Sequence, residues 1–392
     1  MATPASNLDG VRRQNLSAVL ERVHVTGGLS RSELTAGTGL NRSTVAALVS
    51  ELVERGILIE GEPDATRRVG RPSLSVGADP RILAITVNPE VDAVTLAVVG
   101  LGARVVHRVR RDLEAVPSPE GAASLIAELI AELPADVTRN ARILGVGIAV
   151  PGLVRAADGV VRWAPHLGWT DSPFTELVTA ATGLPTFAAN DASLGARAEH
   201  RFGVGRDVDD LVYLNGGASG IGGGVIAGGR ALAGSRGYAG EFGHNRPGVA
   251  TSKDRLTADG ELEDEVSRAR LLAVLGLGAV DESTLAEAAL RTTDSAAIAE
   301  MARQRRVLAT ALTNAINVLN PELVVLGGFL ATLLASDAAE LEALVGAQSI
   351  PAAADSVRLR AAALGVDRLM IGAAELVFAP LIADPAGIDT VG

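Results

Sequence analysis

The sequence predicts an α/β chain in two parts: a three-helix head of helix-turn-helix form, then a duplicated body of two lobes. Three observations carry this. Residues 1–75 contain two helix-capping signals around a glycine-bearing turn, followed by an arginine-rich segment. Residues 81–392 hold two successive series of strand meander, helix and strand. Between the second series' first strand and its helices lies Asn215–His244, a glycine-rich stretch that closes on Glu241 and His244.

At 392 residues the chain is too long for one ordinary domain. Hydrophobic residues make up 48% but aromatics only 3%, so the core must be built from Ala, Val, Leu and Ile, and pockets must be lined by small groups. The absence of cysteine excludes disulfides, thiolate metal sites and cysteine nucleophiles. The start lacks the apolar core of a signal peptide, and no apolar run reaches the roughly 18 residues of a membrane span. A cytoplasmic protein without a membrane partner is expected. The net charge of −11 argues against a chain that coats nucleic acid along its length. That charge is uneven, with nine arginines against eight acids in residues 1–75 but 26 basic against 38 acidic residues afterwards.

In the head, Leu16, Val19, Leu20 and Val23 recur at helical spacing. Ser30-Arg-Ser-Glu33 has the form of a capping box, so a short helix starts there and stops near Gly37 or Gly39. Asn41 can cap a further helix, whose Val45, Leu48, Val49, Leu52 and Val53 form one apolar stripe. Arg42, Ser43 and Thr44, with Ala47 one turn on, are then left on the exposed start of that helix, where a major groove would be read. Leu58 and Ile59 suit a first wing strand, and Arg67, Arg68 and Arg71 suit a wing or linker along a phosphate backbone or minor groove. The segment resembles the winged helix-turn-helix of bacterial transcription regulators. A packing or dimerisation module with a solvated basic linker is the alternative. The expected boundary is 1–75 for the head and 76–392 for the body.

In the body, strands are expected at Ile82–Val87, Val91–Val99 and Ala103–Arg110, a helix at Leu125–Leu133 and a buried strand at Ile143–Val150. A short strand at Phe187–Ala189 leads into a helix from about Asp191 to Phe202, completing a first lobe of about residues 81–203. The second lobe, about 204–392, has strands at Leu211–Leu214 and Ile221–Ala227. Its long helix runs through Leu308, Leu312 and Leu319 and stops at Asn320-Pro321, before a strand at Leu323–Leu326. The glycines after Asn215 read as a ligand loop that turns tightly and is approached closely, or as a turn before a capped helix.

Asn190-Asp191, the Gly216–Gly224 loop, Gly237-Tyr-Ala-Gly-Glu-Phe-Gly-His244 and Asn320-Pro-Glu-Leu-Val-Val-Leu-Gly-Gly328 together resemble the ROK family of repressors, open reading frames and sugar kinases. The resemblance covers nearly all of the chain. It implies a two-lobe actin-like, sugar-kinase-like (RNase H-like) body. It also implies a sugar site in which Asn190 and Asp191 bind ring hydroxyls, Glu241 and His244 bind near the anomeric end, and Glu263 touches the sugar. In the family's kinases the residue at Asp191 is the general base; a helix N-cap is its plain structural alternative.

The chain departs from that family in three places. Ile85-Thr-Val-Asn-Pro-Glu90 stands where the kinases carry an Asp-x-Gly-Gly-Thr phosphate loop, and Pro89 lacks an amide donor. Near Asn245–Glu261 the family's cysteine cluster would bind zinc together with the histidine at His244, but no cysteine is present. What else holds that loop is not evident from the residues; a cation on Asp254, Asp259 or Glu261 competes with a solvated acidic turn. Within Trp163–Trp169, His166 replaces the usual Asn, and either tryptophan could stack on a pyranose or pack in the core.

The expectation is a sugar-responsive repressor of carbohydrate-use genes that is not an enzyme. Its partners would be operator DNA and a sugar effector, it would act as a homodimer or homotetramer, and it would carry no catalytic residue, cofactor or metal. The alternatives are an ATP-dependent ROK sugar kinase with an attached DNA-binding domain, and a sugar-binding adaptor that contacts only proteins.

Overall fold

A computed structural model of the chain describes residues 4–61, 75–248 and 252–387. These residues form two compact units, each drawn from separate stretches of sequence. The first comprises residues up to Ala149 with Pro173–Ala188 and Ala373 onward, and the second comprises Val150–Ser172 with Ala189–Gly372. The lobes expected as contiguous stretches are thus interleaved, and the head belongs to the same unit as the first sheet.

Helices Pro4–Thr26, Arg31–Thr38 and Arg42–Glu54 build the head. Ser30 Oγ accepts from the Glu33 amide while the Glu33 carboxylate accepts from the Ser30 amide, so both ends of the expected capping box form. Gly39 ends that helix in the left-handed region at φ 70°, a conformation that suits glycine. Asn41 Oδ1 then accepts from the Thr44 amide and starts the next helix. Val45, Leu48, Val49 and Leu52 pack inward against Leu16, Val19, Leu20 and Val23, all buried. A small antiparallel sheet of Leu29–Ser30, Ser75–Ala78 and Leu58–Gly61 flanks these helices. Arg67, Arg68 and Arg71 lie outside the described residues.

The head is fixed to its unit rather than tethered. His24, fully buried, accepts the Gly102 amide at Nδ1 (3.0 Å) and meets Glu375 Oε1 through Nε2 at 2.8 Å. Because Nδ1 is an acceptor here, the ring proton sits on Nε2. Arg13 and Arg55 add bonds to Asp384 and to the Ala386 carbonyl.

The first unit's five-stranded sheet runs in the order Thr186–Asn190, Arg142–Val150, Ile82–Pro89, Ala93–Gly100, Arg104–Asp112. Its first hairpin carries the segment Ile85–Glu90. The strand continues through Pro89, which pairs with Val94. The Glu90 carboxylate accepts from Asn88 Nδ2 (3.0 Å) and Thr95 Oγ1 (3.2 Å), and is also bonded by Arg110.

In the second unit, Leu211–Gly217 lies between Gly220–Ala227, antiparallel, and Leu323–Gly328, parallel, with Arg358–Ala361 beyond. Helix Ser295–Leu319 packs Leu308, Leu312 and Ile316 with Val212, Leu214, Val324 and Leu326 in one core. It ends at Asn320, which takes the left-handed conformation at φ 47° ahead of Pro321.

The glycine-rich stretch is mostly a β-hairpin rather than a turning loop, and its glycines answer to packing. A Cβ on Gly222 would lie 2.6 Å from Ala192 Cβ, and one on Gly224 would lie 2.6 Å from Ala196 Cβ. Bare backbone here lets helix Asp191–Phe202 lie flat on the hairpin. Gly224→Ala is therefore expected to cost about 1–3 kcal/mol through overpacking, measurable as a lower urea midpoint with unchanged slope.

Candidate functional site

Asn190, Asp191, Glu241, His244 and Glu263 all line one cavity of the second unit, whose empty volume, open mouth included, is about 650 Å³.

The strand ending at Asn190 delivers the first pair. Asn190 Oδ1 accepts from the Ser193 amide at 2.9 Å, so Asn190 is the helix cap and Asp191 is not. The Asn190 amide donates to the Gly152 carbonyl (3.1 Å) and to Asp191 Oδ1 (3.3 Å). In this geometry Asn190 orients Asp191 and anchors the cavity wall. Asp191 Oδ1 also accepts from the Ala192 amide at 2.7 Å; no bond to Oδ2 occurs among the described residues. Burial pushes the Asp191 carboxyl up to about 6, against the Ala192 amide and with help from the nearby Glu241 charge. Desolvation thus outweighs a helix N-terminus that would favour the anion.

Glu241 begins the short 3-10 turn Phe242–His244. Gly240, at φ 103°, admits this turn against the hairpin, since a Cβ there would lie 2.5 Å from the Gly223 carbonyl oxygen. Burial raises the Glu241 carboxyl, His244 opposes this, and Glu263 adds to it. Glu263 Oε2 accepts from the Ile221 amide at 3.2 Å, and a side chain at Gly220 would collide with that carboxylate. His244 Nδ1 lies 3.1 Å from Glu261 Oε2, and its ring sits 6.0 Å from that of Trp163, tilted by 38°. Burial works to lower the His244 pKa, but the hydrogen bond to Glu261 and the surrounding carboxylates raise it overall.

The two tryptophans divide. Trp163 is exposed on the cavity wall and Trp169 is core, 2% exposed. His166 also lines the cavity, as do Asn215 and Ser219 of the hairpin, which the sequence reading did not single out as ligand contacts. Among the described residues the wall carries three carboxylates and two histidines and no Lys or Arg. Such a surface suits a hydroxyl-rich neutral ligand and disfavours a phosphate or carboxylate.

The loop without cysteines is held by charge. The Glu265 carboxylate, 1% exposed, accepts from the Leu256 and Thr257 amides, from Thr257 Oγ1 and from Arg303. Arg303 also donates to the carbonyls of Asp254 (2.8 Å) and Glu265 (2.6 Å). Asp254 is buried and paired with Arg306 at 2.7 Å, so it is neither a solvated turn residue nor free for a cation. Of the zinc ligands the family implies, His244 remains. His244, Glu261 and Glu263 have donor atoms within 4.8 Å of one another. Among the described residues these three donors fall short of the four of a closed tetrahedral zinc site, and Arg246 donates to the Glu261 carboxylate at 3.1 Å.

On the head, Arg42 and Ser43 are exposed at the start of helix Arg42–Glu54, and Thr44 is half-buried. Ser43 Oγ donates to Asn41 Oδ1 at 2.7 Å, while Arg42 makes no hydrogen bond among the described residues.

The fold defines a class: an α/β chain with a head of three helices and a small antiparallel sheet, and two five-stranded sheets beyond it. The ROK family description matches residues 85–379, and the chain belongs to the ROK family. Over 394 aligned residues it is 26% identical to a putative xylose repressor of Caldicellulosiruptor sp. (strain Rt8B.4), covering 96% of this chain and 98% of that one. The crystal structure of a ROK family transcriptional regulator, a homologue of the E. coli MLC protein, superposes with a TM-score of 0.75. It is 23% identical and covers 95% of this chain and 97% of its own. A ROK family glucokinase from Streptomyces griseus, solved with glucose and AMPPNP, gives a TM-score of 0.61 and 26% identity, covering 75% of this chain and 98% of its own.

Proposed function

We propose that the chain is a sugar-responsive, DNA-binding transcriptional repressor of carbohydrate-use genes. In this reading the cavity binds an unphosphorylated sugar, and Arg42, Ser43 and Thr44 contact the operator. The observation that carries it is the gathering of Asp191, Glu241, His244 and Glu263 on one cavity wall that has no Lys or Arg among the described residues, in a chain that also bears a head of helix-turn-helix form. The repressor relative matches almost the whole chain, including the residues before 85, whereas the glucokinase matches three quarters of it. The oligomer is a homodimer or homotetramer, because one weakly charged head offers few phosphate contacts and two half-sites multiply them. No helix among the described residues is long and apolar enough to cross a membrane. A regulator that meets its operator on the chromosome acts in the cytoplasm.

The mechanism is linkage. A sugar with unequal affinity for two arrangements of the body shifts their populations, and operator affinity shifts with them. Arg42→Ala is expected to weaken operator binding about tenfold or more, the loss of one base or phosphate contact, with sugar affinity unchanged. Fluorescence anisotropy on the protein's own upstream DNA and calorimetry with D-xylose and D-glucose check the two halves. Equal operator affinity in variant and wild type would remove the helix Arg42–Glu54 from the interface.

One observation favours a second reading, sugar phosphorylation. A carboxyl raised to about 6 at Asp191 is poised as a general base near neutral pH. Against it stands the hairpin at Asn88–Thr95, where the Glu90 carboxylate is bonded by Asn88, Thr95 and Arg110 and Pro89 has no amide to offer a phosphate. A coupled ADP assay with the same sugars decides between them, and turnover at ordinary kinase rates of about 1–100 per second would establish the kinase.

A further inference from the structure

We propose that Glu261 is a positioning residue for the ligand-facing His244, taking by hydrogen bond the part that a metal would otherwise play. The proposal rests on the reading of the cavity as a sugar site and assigns a role to a side chain outside its wall. Glu261 is not among the cavity-lining residues, yet its Oε2 is the acceptor nearest His244 Nδ1, at 3.1 Å. The competing carboxylate, Glu263, stands 3.8 Å away and gives its other oxygen to the Ile221 amide. Arg246 Nη2 donates to Glu261 Oε1 at 3.1 Å, so the carboxylate is held through the oxygen that does not face the histidine. Immediately beyond Glu261, the helix Leu262–Glu265 is anchored through Glu265 to Arg303 of the long helix. The acceptor therefore stands on a fixed base rather than on a free loop.

The consequence concerns which ring nitrogen the ligand meets. With its proton on Nδ1 and pointed at Glu261, the neutral imidazole presents Nε2 as an acceptor. Asp191, Glu241 and Glu263 are acceptors as well, so the wall is complementary to a ligand that offers several hydroxyl donors at once. Rotation of the ring, or transfer of its proton to Nε2, would place a donor there instead. A partner that fixes tautomer and orientation in this way typically matters by 10–100-fold in affinity where the histidine serves a metal.

The test uses Glu261→Leu, which cannot accept a hydrogen bond, and Glu261→Gln, whose carbonyl oxygen still can. Long-range ¹H–¹⁵N spectra at pH 8 read the His244 tautomer without any ligand, and calorimetry reads affinity for D-xylose and D-glucose. Unfolding temperatures establish that both variants are folded. Wild type and Glu261→Gln are expected to show the Nδ1–H tautomer and sugar affinities within a few-fold of each other. Glu261→Leu is expected to lose that tautomer preference and about tenfold or more in affinity. Unchanged affinity in Glu261→Leu, or weakened affinity with the tautomer intact, overturns the proposal, as does wild-type affinity that EDTA abolishes and added zinc restores. If neither sugar binds the wild type, the sugar reading falls instead, and the tautomer comparison alone decides whether Glu261 orients the ring.

Discussion

Asp191→Asn is expected to be more stable than the wild type at pH 8 by as much as about 3 kcal/mol and, at the same time, blind to sugar. The stability gain follows from linkage. The Asp191 carboxyl stands at about 6 in the folded chain against 3.8 for the free side chain, a difference of roughly two units at about 1.36 kcal/mol each. A raised carboxyl favours the folded state while it is protonated, and that advantage is lost as pH rises from about 4 through 6. Above that window the wild type carries a desolvated charge that asparagine does not have. The gain from Asn should therefore be full at pH 8, smaller near pH 5 and absent at pH 4. Asparagine keeps an oxygen to accept the Ala192 amide, so the helix start survives. Urea unfolding at the three pH values checks the profile, and a destabilised variant at pH 8 would show that Asp191 is held by favourable contacts rather than kept at a cost to stability. Such a residue, unfavourable for folding and turned into a cavity, fits a binding role better than a structural one.

The second large effect is expected at Arg303. Its guanidinium serves the buried carboxylate of Glu265, the Glu300 carboxylate and two backbone carbonyls. Arg303→Met leaves Glu265, 1% exposed, without its cation, and a loss of about 3–5 kcal/mol follows. A double Arg303→Met/Glu265→Met variant should recover only part of this, because the Leu256 and Thr257 amides also lose their acceptor. Burial works to raise the Glu265 carboxyl, but those amides and Arg303 hold it below the usual range. Its contribution is accordingly present at neutral pH and is lost as pH falls through the carboxylate range. Denaturation of wild type and variants measures the effect, and a loss below 1 kcal/mol would mean that the loop is held elsewhere.

The parts of this molecule that were legible in the sequence are those encoded by near neighbours. Ser30 with Glu33, Asn41 with its helix and Asn320 before Pro321 are local arrangements, and each forms as the spacing implies. The five cavity residues were named through the family resemblance, and the fold does bring them to one wall. Long-range relations were not legible. The carboxylate of Glu265 finds Arg303 38 positions away, and Asp254 finds Arg306 52 positions away. No periodicity announces such pairs. The glycines of the hairpin suggested turning because composition cannot distinguish a backbone that bends from one that is packed against, as Gly222 and Gly224 are by Ala192 and Ala196. Asn190 and Asp191 could each cap a helix, and only the geometry gives the cap to Asn190 and leaves Asp191 for the cavity.

The central claim is that occupation of this cavity is energetically linked to operator binding. The most direct measurement is anisotropy on the protein's own upstream DNA, with and without a sugar that calorimetry shows to be bound, for wild type and Asp191→Asn. Linkage predicts an operator affinity changed by about fivefold or more in the wild type, with sugar affinity changed by the same factor when DNA is present. It predicts no change in Asp191→Asn, whose sugar-free operator affinity equals that of the wild type. A wild-type operator affinity that stays the same at saturating sugar would contradict it.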